Sequence, residues 1–592
     1  MKILFSLVLF VVLTGVRITF AQTAQSPKSP EWVARSNENA QILLTILAKY
    51  NPEGAGRLGV DGLDEQIIDL KPNIFERSKS DISNAIVQLK DKLAHETDPS
   101  VKQDLEILIK SAEDNIKGND MSLKYEIPYF DMAGLVFSGM RGLLDDQIPA
   151  ERRKAAVIRL KRYAGMEEGY TPITKLAEDR IRERMSKPGL IGPVKAQVVR
   201  DQSTEQSYID GIADLFKQYQ IAGYEDALEK MKQQLAEYHG FIQKEIMPKA
   251  REDFRLPPEE YAFSLEQVGV DIPPAELMKK AHAAFTSIQK EMQPIAAQIA
   301  REHGFTSSDY RDVIKELKKD QLVGDSILPF YRKRIHDIEA IIRQEHIVTL
   351  PEREMRIRIA SPAEAAQTPA PNMRPPRLIG NTGEMGEFVL PLNIPAPPGS
   401  GKKSTMKFDD FTFAAAAWTL TAHEGRPGHE LQFASMIEHG VSTTRALFAF
   451  NSTNVEGWGL YSEKILQPYM PLEGKLISLQ HRLLRSARAF LDPELQFGKI
   501  TEEKAMKILR NDVVLSEAMA SQEVQRYTFL SPGQATSYFY GYTRLMELRA
   551  DTEKKMGKNF DQQKFHDFIL AQGLLPPQLL RKAVMSDFVS AQ

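Results

Sequence analysis

Helical periodicity runs through most of this chain, and one proline-rich stretch interrupts it. Apolar residues recur at the three- and four-residue spacings of an amphipathic helix, both in an early segment and through residues 279–301 and 325–347. The stripe of the early segment consists of Ile82, Ile86, Leu89 and Leu93. Nine of the 40 residues at 361–400 are proline, so we expect no helix there. The pattern predicts a mainly α fold.

The proline-rich stretch sets the expected organisation of the chain. Within it, Glu387–Leu390 is typical of a short strand, and Pro391 directly after it suits the edge of a sheet. We therefore expect a large helical body with a short β-sheet. The predicted regions are a signal peptide at 1–21, an N-terminal helical region at 22–360, a Pro-rich segment with short strands at 361–408 and a C-terminal helical region at 409–592. Residues 22–592 are expected to form one structural unit.

The N-terminus has the pattern of a secretory signal peptide. Lys2 supplies a positive charge, residues 3–16 are uncharged and apolar, and small residues lead to an expected cleavage site near Ala21. The apolar run has 14 residues, whereas a membrane-spanning helix needs about 20. The sequence therefore predicts an exported protein, periplasmic or extracellular in a bacterium, with no stable membrane anchor after cleavage.

Charge and cysteine content exclude several classes of function. Lys plus Arg (76) nearly balances Asp plus Glu (79), which gives no basic surplus for binding nucleic acid. The chain has no cysteine, so it has no disulfides, no thiolate metal site, no cysteine nucleophile and no cysteine-linked lipid anchor. Any metal must be held by histidines and carboxylates.

The strongest chemical signal is the segment His423-Glu424-Gly425-Arg426-Pro427-Gly428-His429. In zinc hydrolases with an HExxH motif, two histidines one helical turn apart bind one ion, and the glutamate between them is the general base. Here the histidines are six residues apart, which places them about 120° apart on a regular helix. Because proline lacks an N–H, the helix can widen or break at Pro427 and return His429 to the face of His423. The alternative is a Pro-Gly helix end with two ordinary histidines.

A third potential ligand follows 27 residues later, at Glu456. Zinc peptidases with two histidines and one glutamate take that glutamate from the next helix, which leaves a fourth position for water. Glu456 is followed by a Gly-Trp pair in a segment of helical spacing, and a further carboxylate, Glu463, lies seven residues on. Glu463 is either a partner of a metal ligand or a solvated side chain.

These segments resemble one known family. The run HEGRPGHELQ resembles the HExxPGHxxQ signature of the bacterial domain of unknown function 885 family, and VEGWGLYSE resembles its EGWxxYxE segment. Arg526-Tyr527 with the following PGQATSY, and Phe565-His566-Asp567 with Gly573 and Pro576, resemble two further motifs. The family is similar to gluzincin-type metallopeptidases such as the thimet oligopeptidase and neurolysin group, which are largely helical with a short sheet beside the active-site helix.

The resemblance implies a zinc-dependent peptidase acting on peptide substrates. Zinc would be held by His423, His429 and Glu456, with Glu424 as general base. Tyr538 is the first candidate to stabilise the oxyanion, although the aromatic series around it is also typical of helix packing. The substrate-binding candidates behind it are Arg526, Tyr540 and Tyr542.

Three further expectations concern the surroundings of this site. The arginines 482, 485 and 488 are expected to form a solvated basic face, with a substrate carboxylate site as the alternative. An extended substrate is hypothesised to pair with the edge strand at 387–390. The sequence departs from the family pattern at Glu430 and Gln496, where histidine is usual, and both changes leave the proposed ligands intact.

Two alternative functions stay open. One is hydrolysis of another amide or an ester by the same metal-activated water. The other is a catalytically silent helical binding protein, although the presence of all three ligands and of Glu424 argues against it.

Overall fold

The computed structural model describes residues 30–395 and 405–590 of the 592-residue chain. The predicted signal peptide and part of the Pro-rich segment lie outside the described residues. The structure is 69% helical with little sheet, which confirms the predicted mainly α fold. Within the described ranges, no helix is long and apolar enough to cross a membrane.

A long series of helices precedes the sheet. They are α1 (Glu31–Tyr50), α2 (Pro52–Leu58), α3 (Ile74–His95), α4 (Pro99–Tyr125), α5 (Met132–Arg141), α6 (Ala150–Arg153), α7 (Ala155–Tyr163), α8 (Ile173–Met185), α9 (Lys195–Gln218), α10 (Glu225–Phe241), α11 (Pro258–Gln267), α12 (Pro274–His303), α13 (Tyr310–Leu317) and α14 (Ile327–Gln344). Helix α3 buries Ile82 and Leu89 of the predicted stripe, and α12 and α14 cover the other two segments in which the periodicity predicted helices.

The strands and one short helix lie in the Pro-rich segment, except for the first strand, which directly precedes it. These elements are β1 (Arg356–Ile359), α15 (Pro362–Gln367), β2 (Asn372–Arg374), β3 (Glu387–Leu390), β4 (Asn393–Pro395) and β5 (Thr405–Lys407). Strand β3 pairs in parallel with β1 and antiparallel with β2, and β4 and β5 form a separate antiparallel pair.

The predicted strand at Glu387–Leu390 is confirmed, but its predicted edge position is wrong. The strand order is β1-β3-β2, so β3 is the central strand. Pro391 is compatible with this position because it follows the last paired residue, Leu390, and therefore removes no N–H from the ladder. The missed neighbour β1 has the sequence Arg-Ile-Arg-Ile, a period-two alternation that could have identified it.

The expectation of no helix in the Pro-rich stretch is also wrong, because α15 lies within it. Pro362 occupies the first turn of α15, where its fixed φ suits a helix and its missing N–H would have no intrahelical partner. Ser361 and Glu364 cap the same turn reciprocally through side chain and backbone. Proline therefore starts this helix instead of preventing it.

The helices after the sheet form the rest of the body. They are α16 (Ala414–Glu424), α17 (His429–Glu438), α18 (Ser452–Leu466), α19 (Leu472–Gln496), α20 (Glu502–Lys507), α21 (Glu517–Gln525), α22 (Thr536–Met556), α23 (Gln562–Ala571) and α24 (Pro577–Ala583). Helix α18 packs against α22, α16 packs against α18 and α19, and α12 packs along α19. The sheet covers α16, since Phe388 and Leu390 share an apolar cluster with Ala417 and Leu420.

A buried ion pair joins the first helices to the C-terminal region. Asp104 on α4 lies 2.8 Å from Nε of Arg445, which is in a π-helical turn between α17 and α18. The hydroxyls of Ser36 on α1 and Ser442 also donate to the Asp104 carboxylate. The described chain is thus connected from α1 to the segment that leads into α18.

Candidate metal centre

A break between two helices brings the two motif histidines together. Helix α16 ends at Glu424 and α17 begins at His429, so the chain turns through Pro427 instead of continuing as one helix. The imidazole rings of His423 and His429 lie with their centroids 4.6 Å apart, at 82° to each other. The sequence left two geometries open: a distorted turn that brings the histidines together, and a helix end with two ordinary histidines. The helix ends at Glu424, and the turn through Pro427 brings both histidines to face the same point.

Glu456 on α18 completes a group of three possible metal ligands. Its Oε2 atom lies 3.5 Å from Nε2 of His423 and 3.3 Å from Nε2 of His429. One ligand atom from each residue lies within 4.8 Å of the other two. The Oε2 atom is buried and accepts no hydrogen bond. Because a buried carboxylate oxygen without a hydrogen bond is unfavourable, this arrangement suits a site that binds a cation.

Burial and mutual contact shift the pKa values of the group. Burial would lower the pKa of His423, but the carboxylates of Glu456 and Glu463 outweigh it and raise the pKa to about 9. Burial would raise the pKa of Glu456, but the two imidazoles hold it well below its usual range. Burial raises the pKa of Glu424, although the neighbouring imidazoles of His423 and His429 oppose that shift, so its carboxylate is a stronger base than that of an exposed glutamate.

Glu463, left open as a partner or a solvated residue, is a buried partner of His423. Its carboxylate accepts a hydrogen bond from Nδ1 of His423 at 2.8 Å and another from the Thr419 hydroxyl at 2.6 Å. This contact leaves Nε2 of His423 as the ring nitrogen that faces Glu456. The sequence alone gave no reason to include Thr419, which lies one helical turn before His423.

Two contacts hold the helix break in place. The indole N–H of Trp458 donates to the Pro427 carbonyl at 2.9 Å, so the residue two positions after Glu456 anchors the turn between the histidines. Arg426 donates to the buried carboxylate of Glu430 at 2.8 Å and to Glu339 at 2.7 Å. Glu430, one of the two departures from the family pattern, therefore supports the turn from outside the group of ligands.

Tyr538 lies beside the three ligands, on α22. Its ring stacks 6.3 Å from that of His423, and Arg526 lies near its hydroxyl, with Nη2 at 3.4 Å. Burial raises the pKa of Tyr538, although Arg526 opposes that shift. The phenol therefore stays protonated at neutral pH and can donate a hydrogen bond.

Tyr540 and Tyr542, unlike Tyr538, have hydroxyls that contact residues outside the candidate metal centre. The Tyr540 hydroxyl donates to Asp271, in the connection before α12. The Tyr542 hydroxyl accepts from Arg482 at 3.3 Å. Of the three predicted substrate-binding residues, Arg526 is the one that contacts Tyr538.

The predicted solvated basic face on α19 is wrong for two of its three arginines. Arg485 and Arg488 are buried, and Arg488 makes a bidentate ion pair with Glu523 at 2.8 and 2.6 Å. Arg485 lies 3.5 Å from Glu463. Their partners are distant in sequence, so the spacing of the arginines could not reveal the burial. Glu523 was missed, although its position three residues before Arg526 was a helical-face signal.

Gln496, the second departure from the family pattern, connects the segment before α11 to the π-helical turn at Arg526–Leu530. Its amide donates to the Tyr527 carbonyl at 2.8 Å, and its oxygen accepts from the Leu256 N–H at 2.9 Å. It thus supports the backbone next to Arg526.

Glycines allow α18 to approach both α22 and the histidines. A Cβ atom on Gly457 would lie 2.7 Å from the backbone of Gly541 on α22, so the two helices touch main chain to main chain. A Cβ on Gly459 would lie 2.7 Å from Cε1 of His423 and 2.9 Å from Cε1 of His429. Real Cβ atoms do not approach so closely, and larger residues at these positions would separate Glu456 from its partners.

The comparisons with known proteins place this chain in a family. The model of the family described as "Bacterial protein of unknown function (DUF885)" matches residues 52–584. The chain belongs to the DUF885 family. All three ligands of the candidate centre of this DUF885 protein, together with Glu424 and Tyr538, lie within the matched residues. No curated protein matches the sequence.

Two solved structures share the fold of this DUF885 protein. One, named "putative lipoprotein" from Colwellia psychrerythraea, superposes with a TM-score of 0.73 at 16% identity and covers 95% of this chain and 99% of its own. The other, named "putative lipoprotein of unknown function" from Shewanella oneidensis, has a TM-score of 0.66 at 18% identity and covers 94% of this chain and 100% of its own. At these identities the likeness concerns the fold.

Proposed function

We propose that this DUF885 protein is an exported, zinc-dependent peptidase. The observation that carries the proposal is the Oε2 atom of Glu456, which accepts no hydrogen bond and lies 3.5 and 3.3 Å from the Nε2 atoms of His423 and His429. Ligands about 2.0 to 2.2 Å from a tetrahedral zinc ion lie about 3.3 to 3.6 Å from one another. The spacing of these atoms therefore suits zinc, and two nitrogens with one carboxylate are a common donor set for catalytic zinc.

The residues around the ligands have the chemistry that hydrolysis requires. When bound, zinc would polarise the scissile carbonyl and lower the pKa of a water to about 7. Glu424, buried next to His423, takes the proton of the attacking water and passes it to the leaving amine. The Tyr538 hydroxyl donates to the oxyanion that develops on the carbonyl oxygen. The gluzincin-type peptidases that the motifs resemble work with the same kinds of groups.

Export is supported by the N-terminal pattern and by the names of the two structural neighbours. Both are named as lipoproteins, a class of exported protein. This chain has no cysteine to carry a lipid anchor. We therefore propose release into the periplasm or the exterior after cleavage near Ala21, which mass spectrometry of the mature N-terminus would check.

Glu424→Gln tests the peptidase proposal. The substitution removes the proton acceptor but keeps the shape of the side chain, so we expect bound zinc to remain stoichiometric and cleavage of a mixed peptide library to fall about 10²- to 10⁴-fold. Metal content and mass spectrometry of the products measure the two effects. The matched control is Glu438→Gln at the C-terminal end of the following helix, α17, which should keep wild-type cleavage. Purified wild-type protein that binds no zinc, or a Glu424→Gln variant that cleaves like wild type, would contradict the proposal.

A further inference from the structure

Three arginines surround the ring of Tyr538. The guanidinium carbons of Arg488, Arg526 and Arg485 lie 4.4, 5.6 and 5.8 Å from the ring centroid. They come from two segments, α19 and the π-helical turn at Arg526–Leu530, and meet beside the candidate metal centre. Such a concentration of cations next to a catalytic group creates a local attraction for anions.

Two carboxylates form ion pairs with these three arginines. Glu523 accepts both hydrogen bonds of the bidentate pair with Arg488 and lies 3.7 Å from Arg526. Glu463 lies 3.5 Å from Arg485 and also accepts from His423. Of the three arginines, Arg526 has the longest separation from its carboxylate.

Arg526 is also the arginine that solvent can reach. Its side chain is 28% exposed, against 7% for Arg485 and 5% for Arg488. Its Nη2 lies 3.4 Å from the Tyr538 hydroxyl, a long contact that a better acceptor can replace. The most loosely paired arginine of the cluster therefore lies at the accessible side of the candidate centre, next to Tyr538, whose ring stacks on that of His423.

We infer that Arg526 binds the C-terminal carboxylate of a peptide, so that the protein removes residues from the C-terminal end of its substrates. The inference rests on the proposed peptidase function and names its substrate class. A guanidinium fork matches a carboxylate in two parallel hydrogen bonds, and Arg526 is the arginine of the three that is held most loosely by a carboxylate of the chain. Water adds across the C–N bond near that end, which gives a shortened peptide with a new carboxylate and a released fragment with a free amine.

The hypothesised pairing of an extended substrate with β3 is not possible in this sheet. Both sides of β3 are already paired, to β1 and β2, so only β1 and β2 have a free edge. A carboxylate on Arg526 would fix the register of the substrate without a strand at that place. Arg526 contacts Tyr538, whose ring stacks on that of His423, so the anchor lies close to the proposed ligands. Because successive residues of a substrate are about 3.8 Å apart, the cleaved bond would lie close to its C-terminus.

The test compares a peptide with a free C-terminal acid and the same peptide as a C-terminal amide. Binding is measured by calorimetry on zinc-loaded Glu424→Gln protein, so it does not depend on turnover. We expect the acid to bind at least about 10-fold more tightly than the amide, because the charge-assisted fork exists only for the acid. Adding Arg526→Gln should abolish this preference and leave amide binding within about twofold, whereas Arg526→Lys should keep part of it.

The control is Arg301→Gln at an exposed position of α12, which changes the net charge equally and should keep the acid preference. In wild-type protein, mass spectrometry should find fragments released from the C-terminal end of acid peptides and about 10-fold slower cleavage of amides. Equal binding of acid and amide, or internal cleavage of both at equal rates, would overturn the inference and leave the peptidase proposal standing. Absence of both zinc and cleavage would instead overturn the proposed function.

Discussion

Glu463 determines which nitrogen of His423 is available to a metal. Its carboxylate accepts from Nδ1 of His423 at 2.8 Å and is itself held by Thr419 and by the charge of Arg485. Histidine ligands generally depend on such a partner, which fixes the ring orientation and increases the basicity of the other nitrogen. Glu463 is therefore a positioning residue for the candidate centre.

Replacing Glu463 by Gln should weaken zinc binding about 10- to 100-fold, because the amide is uncharged and holds the imidazole less firmly. Competition with a chromophoric chelator measures the zinc dissociation constant. Glu502→Gln, on the distant helix α20, is the control and should bind zinc like wild type. A Glu463→Gln variant with unchanged zinc affinity would show that the contact with His423 has no role in metal binding.

The sequence predicted the residues of the centre better than it predicted their partners. His423, His429 and Glu456 stood out because metal ligands recur at restricted spacings, and the structure brings them together. The burial of Arg488 depends on its ion pair with Glu523, 35 residues away, and no local pattern encodes that contact. Burial of a charged side chain is a property of the folded packing and not of the segment that carries it.

The geometry of the candidate centre depends on how closely helix α18 approaches helices α16 and α17. Gly459 lies on α18, three residues after Glu456, and its backbone faces both imidazole rings. A side chain there would occupy the space in which the rings meet. The closeness of this approach, and not only the identity of the ligands, sets the geometry of the group.

Gly459→Ala should therefore reduce zinc binding while the helix itself tolerates alanine well. The new Cβ would lie 2.7 Å from His423, and relief of that contact requires α18 or the rings to move. Circular dichroism and zinc titration separate the two effects. The control is Gly240→Ala on α10, where a Cβ meets no atom within 4 Å and the substitution should stabilise by about 1 kcal/mol. Wild-type zinc affinity in Gly459→Ala would contradict the role assigned to this contact.

The sequence predicted helices that have a regular apolar periodicity, but it did not predict which strands pair with one another. The stripes of α3, α12 and α14 are encoded locally, because each helix repeats its buried face every 3.6 residues. Strand β3 was recognised but placed at an edge, because its second partner, β1, precedes it by 31 residues. Helix α15 was missed because proline at the first turn of a helix was read as a helix breaker.

His566 links two distant parts of the chain, the segment at Ile347 and helix α18, through a neutral imidazole. Its Nδ1 donates to the Ile347 carbonyl at 2.7 Å, and its Nε2 accepts from the Tyr461 hydroxyl at 2.7 Å. Arg549 donates in turn to the Tyr461 oxygen at 2.9 Å. Burial lowers the pKa of His566 to about 4, because a protonated imidazole would be a cation without solvation, and the nearby charge of Arg549 adds to this shift.

This histidine should make the protein less stable as the pH falls. Above pH 6.5 the side chain is neutral in both the folded and the unfolded state, so the network contributes fully. Between pH 6.5 and about 4 only the unfolded chain binds the proton, which removes up to about 3 kcal/mol of stability. His566→Gln should lower the urea midpoint at pH 7.5 but show a smaller further loss at pH 4.5 than wild type. The control is His95→Gln at an exposed position on α3. An unchanged loss in His566→Gln would contradict the assignment.

The contact between Gly457 and Gly541 has a consequence for the spacing of Glu456 and Tyr538. Glu456 precedes one of these glycines and Tyr538 lies three residues before the other, so the proposed ligand and the proposed hydroxyl donor are carried on two backbones in direct contact. Side-chain packing elsewhere in a core can relax when residues are exchanged, but a main-chain contact cannot become any shorter. Substitutions in the surrounding apolar clusters should therefore change stability long before they change the distance between Glu456 and Tyr538.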